Sequence, residues 1–276
     1  MIEQRTQTCE SCPVHNVGNL IKLGVNMEGA DFVIALAGNP NTGKSTVFNA
    51  VTGLRQHTGN WPGKTVTRAE GGFMFGGKRY KVVDLPGTYS LLSTSTDEDI
   101  ARNFILFGQP DVTVVVVDAT RLERNLNMVL QVLEITDRAV VCLNLIDEAS
   151  RHGMQVDDRL LSKEIGVPVV PTAARQGDGV PMLLQAIHDV ATGAFVCKPR
   201  RFRPNSNSLE RAVRALTGKL GIAFPGLANA RWVALRLLDG DMRVSDAVRT
   251  GEIATLTQST HAPIAAGEKV GEGDIR

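Results

Sequence analysis

Gly38-Asn39-Pro40-Asn41-Thr42-Gly43-Lys44-Ser45 follows the apolar run Phe32-Val33-Ile34-Ala35-Leu36-Ala37 and leads into Thr46-Val47-Phe48-Asn49-Ala50. An apolar strand, a glycine-bracketed loop and a helix start, in that order, predict a phosphate cradle. The loop's backbone N–H groups and the positive end of the helix dipole converge on one anion. The spacing is G-x-x-x-x-G-K-[ST], which directs Lys44 to the β- and γ-phosphates and the Ser45 hydroxyl to Mg²⁺. Binding of a nucleoside triphosphate is the first expectation.

Composition narrows the classes. The chain has 276 residues, 43% hydrophobic and 21% charged, values of a soluble protein with one large or two moderate domains. Thirty basic against 29 acidic side chains leave a net charge of +1, so no global field draws the chain to nucleic acid or an anionic bilayer. The longest apolar runs, such as 32–37 and 114–117, fall far short of the roughly 20 residues that span a bilayer and read as buried strands. Residues 1–30 are largely polar and lack the apolar stretch of a signal peptide, so a cytoplasmic location is expected.

Four cysteines do not make a disulfide framework in a chain of this size. Cys142 lies in Ala139-Val140-Val141-Cys142-Leu143 and reads as core, whereas Cys197 stands alone in a connector. Cys9-Glu10-Ser11-Cys12, followed by Pro13-Val14-His15, has the C-x₂-C spacing of half a metal or redox site. No further Cys/His pair at ligand spacing follows. A site completed by another chain and an arm that merely carries two thiols both stay open.

Along the chain, residues 1–30 show little periodicity and read as a flexible N-terminal extension. From 31 to 196 strand and helix signals alternate. Residues 68–75 and 79–84 flank Gly76-Gly77, the two-residue turn of a β-hairpin. Helices are expected over 97–107, with Thr96 or Asp97 as cap, and over 121–136, 157–165 and 180–191; strands are expected over 112–118, 139–143 and 167–170. This alternation predicts an α/β fold with a mostly parallel central sheet flanked by helices and a ligand at the carboxyl ends of the strands. Lys198-Pro199-Arg200-Arg201-Phe202-Arg203-Pro204 lies in a basic connector, 197–204, read as solvated or as touching lipid headgroups. A small all-α domain is expected over 205–258, with helical signals at 208–221, 230–238 and 245–254. Residues 259–276 have few large apolar side chains and read as a flexible tail.

Three constellations sit at expected strand ends. Asp84-Leu85-Pro86-Gly87 places a carboxylate where it can hold Mg²⁺ and a Gly87 N–H where it can sense a γ-phosphate; a plain Pro-Gly turn is the other reading. In Asn144-Leu145-Ile146-Asp147, the Asp147 carboxylate can accept both N1–H and the 2-amino N–H of guanine, a donor pair that adenine lacks; a helix cap is the alternative. Thr172-Ala173-Ala174-Arg175 offers a backbone N–H to the guanine O6.

Together these residues look like the translation-factor class of GTPases. The resemblance narrows at Arg55-Gln56-His57-Thr58-Gly59-Asn60-Trp61-Pro62-Gly63-Lys64-Thr65-Val66-Thr67, at Asp84-Leu85-Pro86-Gly87-Thr88-Tyr89-Ser90-Leu91 and at Leu122-Glu123-Arg124-Asn125-Leu126. These stretches resemble the cytosolic N-terminal part of FeoB-type ferrous iron transporters. Arg231-Trp232-Val233-Ala234-Leu235-Arg236-Leu237-Leu238-Asp239-Gly240-Asp241 resembles the small helical domain that follows it in that family. The resemblance implies a P-loop GTPase fold with an all-α domain behind it, and GTP or GDP held by residues 38–46, 63–67, 84–87, Asn144, Leu145, Asp147 and 172–174.

The same resemblance makes the loop Gly59 to Thr65 the first switch, with Thr65 meeting Mg²⁺ and the γ-phosphate alongside Ser45 and Asp84, and makes Asp84 to Gly87 the start of the second. Asn41 matches the asparagine that holds a K⁺ ion beside the phosphates in potassium-stimulated members of the class, with backbone carbonyls around Asn60 and Trp61 closing over it. Asn41, Lys44, Thr65 and Gly87 are thus the expected catalytic residues. Implied partners are a FeoB-type transmembrane domain in cis or in trans, small Feo accessory proteins and further copies of the chain, at the cytoplasmic face of the inner membrane; nucleic acid is not among them.

Two departures bear on mechanism. Leu145 replaces the lysine of N-K-x-D, removing a side chain that packs over the base, which predicts modest affinity and fast GDP release. Thr88 stands where many relatives have a water-positioning glutamine, which predicts slow hydrolysis helped by K⁺. The resulting expectation is a slow GTPase that couples nucleotide state to Fe(II) uptake. A soluble assembly or RNA-modification GTPase and a nucleotide sensor without turnover are the alternatives.

Overall fold

The computed structural model describes residues 15, 17–53, 56–92, 95–201, 206–227 and 229–257. A short helix α1 (Val17–Lys22) precedes strand β1 (Phe32–Gly38), helix α2 (Lys44–Thr52) and an antiparallel ribbon of β2 (Gln56–Asn60), β3 (Thr67–Phe75) and β4 (Lys78–Asp84). Then come α3 (Thr96–Asn103), continued by a π turn over Phe104–Gly108, β5 (Val112–Asp118), α4 (Leu122–Ile135), β6 (Ala139–Asn144), α5 (Ile146–Arg151), α6 (Asp158–Ile165), β7 (Val169–Pro171) and α7 (Val180–Thr192). Helices α8 (Asn207–Ala223), α9 (Ala230–Leu238), α10 (Met242–Thr250) and α11 (Glu252–Thr257) close the described chain.

The strands form one sheet in the order β2-β3-β4-β1-β5-β6-β7. Only β3 runs against the others, because the Gly76-Gly77 hairpin turns it back on β4. Both turn glycines have positive φ, 56° and 73°, as the hairpin geometry that follows strand twist demands. Every residue of β1, β5 and β6 is buried, the pattern of central strands covered on both faces. Helices α2 and α7 pack on one face and α4 with the π turn on the other. The carboxyl ends of β1, β4, β5, β6 and β7 therefore share one edge of the sheet.

The expected helices and strands form, with differences that have local causes. Residues 17–30, read as flexible extension, contain α1, whose Leu20 is fully buried and sits under Gly108 of the π turn. Six residues are too few for a helical period to show in the sequence. The cap of α3 is Ser95, whose hydroxyl accepts the Glu98 N–H at 3.2 Å, rather than Thr96 or Asp97. The expected helix over 245–254 is two helices, because Gly251 at φ 77° ends α10 and α11 starts afresh.

The connector is not merely solvated over its described part. The N–H groups of Lys198 and Arg200 bond Gly166 and Ile165 carbonyls, and the Arg200 and Arg201 side chains pair with Glu164 and Asp137. Cys197, expected alone in a linker, is buried with its thiol 3.6 Å from the Ala139 carbonyl oxygen. Helix α9 docks through Asn229, whose amide donates to the last carbonyls of α4, Glu134 at 2.7 Å and Ile135 at 2.6 Å. The Asn229 carbonyl oxygen meanwhile caps α9 at the Trp232 N–H. Trp232 is core, as expected. The expected tail, 259–276, lies outside the described residues. Among the described residues, no helix is long and apolar enough to cross a membrane.

Candidate functional site

The loop between β1 and α2 is shaped by two close approaches. A Cβ on Gly38 would lie 2.5 Å from the Val116 carbonyl oxygen, and one on Gly43, at φ 78°, would lie 2.4 Å from the Asn144 amide nitrogen. Only glycine lets the loop close this tightly on β5 and β6. Thr42 folds the loop back by donating its hydroxyl to the Asn39 carbonyl at 2.9 Å. Asn39 is buried, yet its Oδ1 has no hydrogen-bond partner, a buried acceptor at the base of the cradle. Asn41, at φ 66°, is exposed at the rim, as are Ser45 and Thr46 in the first turn of α2.

Lys44 reaches across to β4, where its ammonium contacts the Asp84 carboxylate. Burial holds the Asp84 carboxyl above the ordinary carboxylate range, and the charge and hydrogen bond of Lys44 oppose that shift without cancelling it. Cation and carboxylate thus neutralise each other between the start of α2 and the end of β4. The backbone after Asp84 is stitched to β1: Leu85 N–H donates to Leu36 O at 2.9 Å and Thr88 N–H to Gly38 O at 3.2 Å. Gly87 lies against Pro40, and a Cβ there would sit 3.5 Å from the Pro40 Cα. Thr88 is buried, with its hydroxyl 3.9 Å from the Met128 sulfur.

At the end of β6, Asn144 is a brace between two loops. Its amide nitrogen donates to the Thr42 carbonyl at 3.0 Å, and its oxygen accepts from the Ala174 N–H at 3.1 Å and the Thr172 hydroxyl at 3.4 Å. Leu145 takes left-handed backbone, φ 62°, and so starts α5 beside the site. Asp147 follows in the first turn of α5. Its Oδ2 accepts from Arg151 at 2.9 Å and from Gln176 at 3.1 Å. Burial would raise this carboxyl, but the Arg151 hydrogen bond and charge, together with the Glu148 N–H, bring it below the usual range. Arg151 was findable from its i,i+4 spacing to Asp147; Gln176 comes from another loop and has no local signal. The N–H groups of Thr172, Ala173 and Ala174 are donated within the protein, to Leu143 O, Asp178 O and Asn144 Oδ1. Of the four residues in the stretch expected to offer an N–H to a guanine O6, these three donate within the protein, and Arg175 is the fourth.

The turn carrying the expected first-switch residues closes on itself between β2 and β3. Asn60 pairs with Thr67 across the β2–β3 ribbon, Trp61 N–H donates to Val66 O at 3.0 Å, and Lys64 N–H donates to Trp61 O at 3.0 Å. Gly63, Lys64 and Thr65 are exposed in this turn, which leads into β3, the strand paired with β4 through Ala69 and Asp84. The Trp61 side chain is buried edge-on to Phe104, with ring centroids 5.7 Å apart, and the Arg68 guanidinium lies over its other side. Two backbone groups of this turn, the Trp61 and Val66 carbonyls, thus accept N–H groups of the turn itself. The Trp61 carbonyl is already engaged in closing the turn, and the apolar ring anchors it to the core.

Cys9 and Cys12 lie outside the described residues. Among the described residues, no group of three or more His, Cys, Asp or Glu could hold a metal ion. Cys142 is a core thiol that burial pushes up to about 12, against a weaker opposing hydrogen bond from Thr172.

A family profile described as "Ferrous iron transport protein B" (FeoB_N) matches residues 32–187. The chain is 39% identical over 213 residues to the Fe(2+) transporter FeoB of Escherichia coli K12, an alignment covering 76% of this chain and 27% of that protein. It is 38% identical over 229 residues to a Fe(2+) transport protein A/Fe(2+) transporter FeoB fusion protein of Porphyromonas gingivalis, covering 82% of this chain and 27% of the fusion. The chain thus spans about a quarter of the length of these relatives. Among solved structures, the cytosolic domain of the T. maritima FeoB iron transporter in a GDP form superposes with a TM-score of 0.73 at 34% identity, covering 82% of this chain and 91% of that one.

Proposed function

This chain belongs to the FeoB family of ferrous iron transport proteins, and we propose that it is a GTP-binding, slowly GTP-hydrolysing regulatory part whose nucleotide state governs Fe(II) uptake through a membrane domain. The observation that carries the reading is the convergence, on one sheet edge, of the 38–45 loop, the Lys44–Asp84 pair and the Asn144 brace beside Asp147. Lys44 and the loop N–H groups suit the phosphates, and the Asp147 carboxylate, already ionised and oriented, suits the N–H edge of guanine.

The donors also fit a magnesium ion, since Ser45 and Asp84 offer a hydroxyl and a carboxylate beside the phosphate cradle. A magnesium ion held there would neutralise phosphate charge, and the Thr65 hydroxyl would join Ser45 and Asp84 in holding it. Asn41, exposed at the loop rim, offers its side-chain amide oxygen to K⁺, whose charge stands in for the missing glutamine. The membrane domain stands in cis or in trans, and the fused relative of P. gingivalis supports an accessory Feo protein as a partner.

The test is calorimetric titration with GDP and ADP, followed by phosphate release from Mg-GTP. Micromolar GDP binding, no ADP binding and slow turnover lost in Lys44→Ala are expected. Equal affinity for the two nucleotides, or turnover that survives Lys44→Ala, overturns the reading.

A further inference from the structure

We propose that the Gln176 side-chain amide is a built-in competitor for guanine at Asp147, setting how strongly the site prefers guanine over a base without the 2-amino group; this rests on the reading of Asp147 as the guanine acceptor. Gln176 stands in the turn between β7 and α7. The Ala173 N–H donates to Asp178 O at 3.0 Å, and the N–H groups of Gln176 and Gly177 donate to Ala173 O at 2.9 and 3.1 Å. Backbone bonds thus hold the turn, and the exposed Gln176 side chain is left to reach α5. There its Nε2 donates to Asp147 Oδ2 at 3.1 Å, although the two residues are 29 apart in the chain. Arg151 Nη2 donates to the same oxygen at 2.9 Å.

A carboxylate oxygen carries two lone-pair sites, so Arg151 and Gln176 together saturate Oδ2. Guanine presents N1–H and a 2-amino N–H side by side and takes one acceptor site on each carboxylate oxygen. One of the two donors on Oδ2 must then leave. Arg151 brings a full charge, donates at the shorter distance and stands one helical turn from Asp147, whereas Gln176 is neutral and reaches across from another loop. The amide is therefore the donor that gives way. Hypoxanthine keeps the N1–H and lacks the 2-amino group, so it takes a single acceptor site, which Oδ1 can supply with Gln176 in place. Gln176 thus opposes the guanine nucleotide and leaves the inosine nucleotide untouched, and its removal sharpens the preference between them.

The experiment is calorimetric titration of the whole chain with GDP, inosine 5′-diphosphate and ADP, in the unmodified protein and in Gln176→Ala, Asp147→Ala and the double variant Gln176→Ala/Asp147→Ala. Gln176→Ala should bind GDP about three- to tenfold more tightly, the worth of one displaced hydrogen bond. Its affinity for inosine diphosphate should not move, so the ratio of the two affinities rises by the same factor. In the Asp147→Ala background the Gln176 substitution should change nothing. A loss of turn structure in Gln176→Ala would move both nucleotides together, and a thermal melt of the variant reads that separately. Unchanged or weaker GDP binding in Gln176→Ala, an equal gain for both nucleotides, or a gain that persists without Asp147 overturns this inference and leaves the guanine reading standing. Equal binding of GDP and ADP by the unmodified chain, or guanine preference that survives Asp147→Ala, overturns that reading and this inference with it.

Discussion

The Lys44 ammonium is in direct contact with the Asp84 carboxylate, joining the start of α2 to the end of β4. Each is the other's main compensation in a partly desolvated place. Lys44→Ala should therefore leave a buried, uncompensated carboxylate and lower stability without nucleotide by about 1–3 kcal/mol, with Lys44→Ala/Asp84→Asn recovering most of the loss. Because the folded-state pKa of Asp84 already stands above its ordinary 3.8, its ionisation is a cost that is absent below that pH and grows as pH rises through the folded value. Urea denaturation should show the Lys44→Ala deficit larger at pH 7.5 than near pH 5.

Asn144 and Asp147 should separate under mutation. Asn144 is 1% exposed and joins the phosphate loop to the 172–174 segment, so Asn144→Ala should cost about 1–3 kcal/mol of stability and weaken GDP binding at least about tenfold. Asp147 is partly exposed, so Asp147→Ala should leave the melting temperature nearly unchanged while losing preference for guanine over adenine. Since its carboxyl is held below the usual range, guanine binding through Asp147 should persist as pH falls to 5. Thermal melts and calorimetry read both.

Potassium dependence should follow Asn41. Its left-handed backbone, φ 66°, means that Asn41→Ala adds strain of about 1 kcal/mol, whereas Asn41→Gly removes the side chain without it. Phosphate release in the unmodified chain should be faster in KCl than in NaCl, and Asn41→Gly should erase the difference. Equal rates in the two salts would remove K⁺ from the mechanism.

Trp61 should report the switch. Thr65 can meet Mg²⁺ only if the turn closed by the Trp61–Val66 and Lys64–Trp61 hydrogen bonds moves, and that withdraws the indole from Phe104. With Trp232→Phe leaving Trp61 as the single tryptophan, Mg²⁺, K⁺ and a non-hydrolysable GTP analogue should shift the tryptophan emission to the red, and GDP should not.

Asn229 should couple the helical segment to α4. It caps α9 and closes two α4 carbonyls, so Asn229→Ala should cost about 1–2 kcal/mol, seen as a lower thermal midpoint.

What the sequence determined by itself was whatever depends on near neighbours. The strand–loop–helix order around Lys44 set the phosphate cradle, glycine pairs set the hairpin, and unbroken apolar runs set the central strands, because each rests on backbone conformation or burial within a few residues. The family was legible for the same reason, in the contiguous stretches around Trp61, Asp84 and Trp232. Contacts between residues distant in the chain were decided by tertiary structure alone. Gln176 meets Asp147 from another loop, Asn144 spends its amide on Thr42 and Ala174, and Lys44 pairs with Asp84 forty residues on. Packing also decided how the 56–66 segment rests: a polar strand with no apolar alternation, Gln56–Asn60, joins the sheet edge because β3 offers it a ladder, and Trp61 is buried against the core.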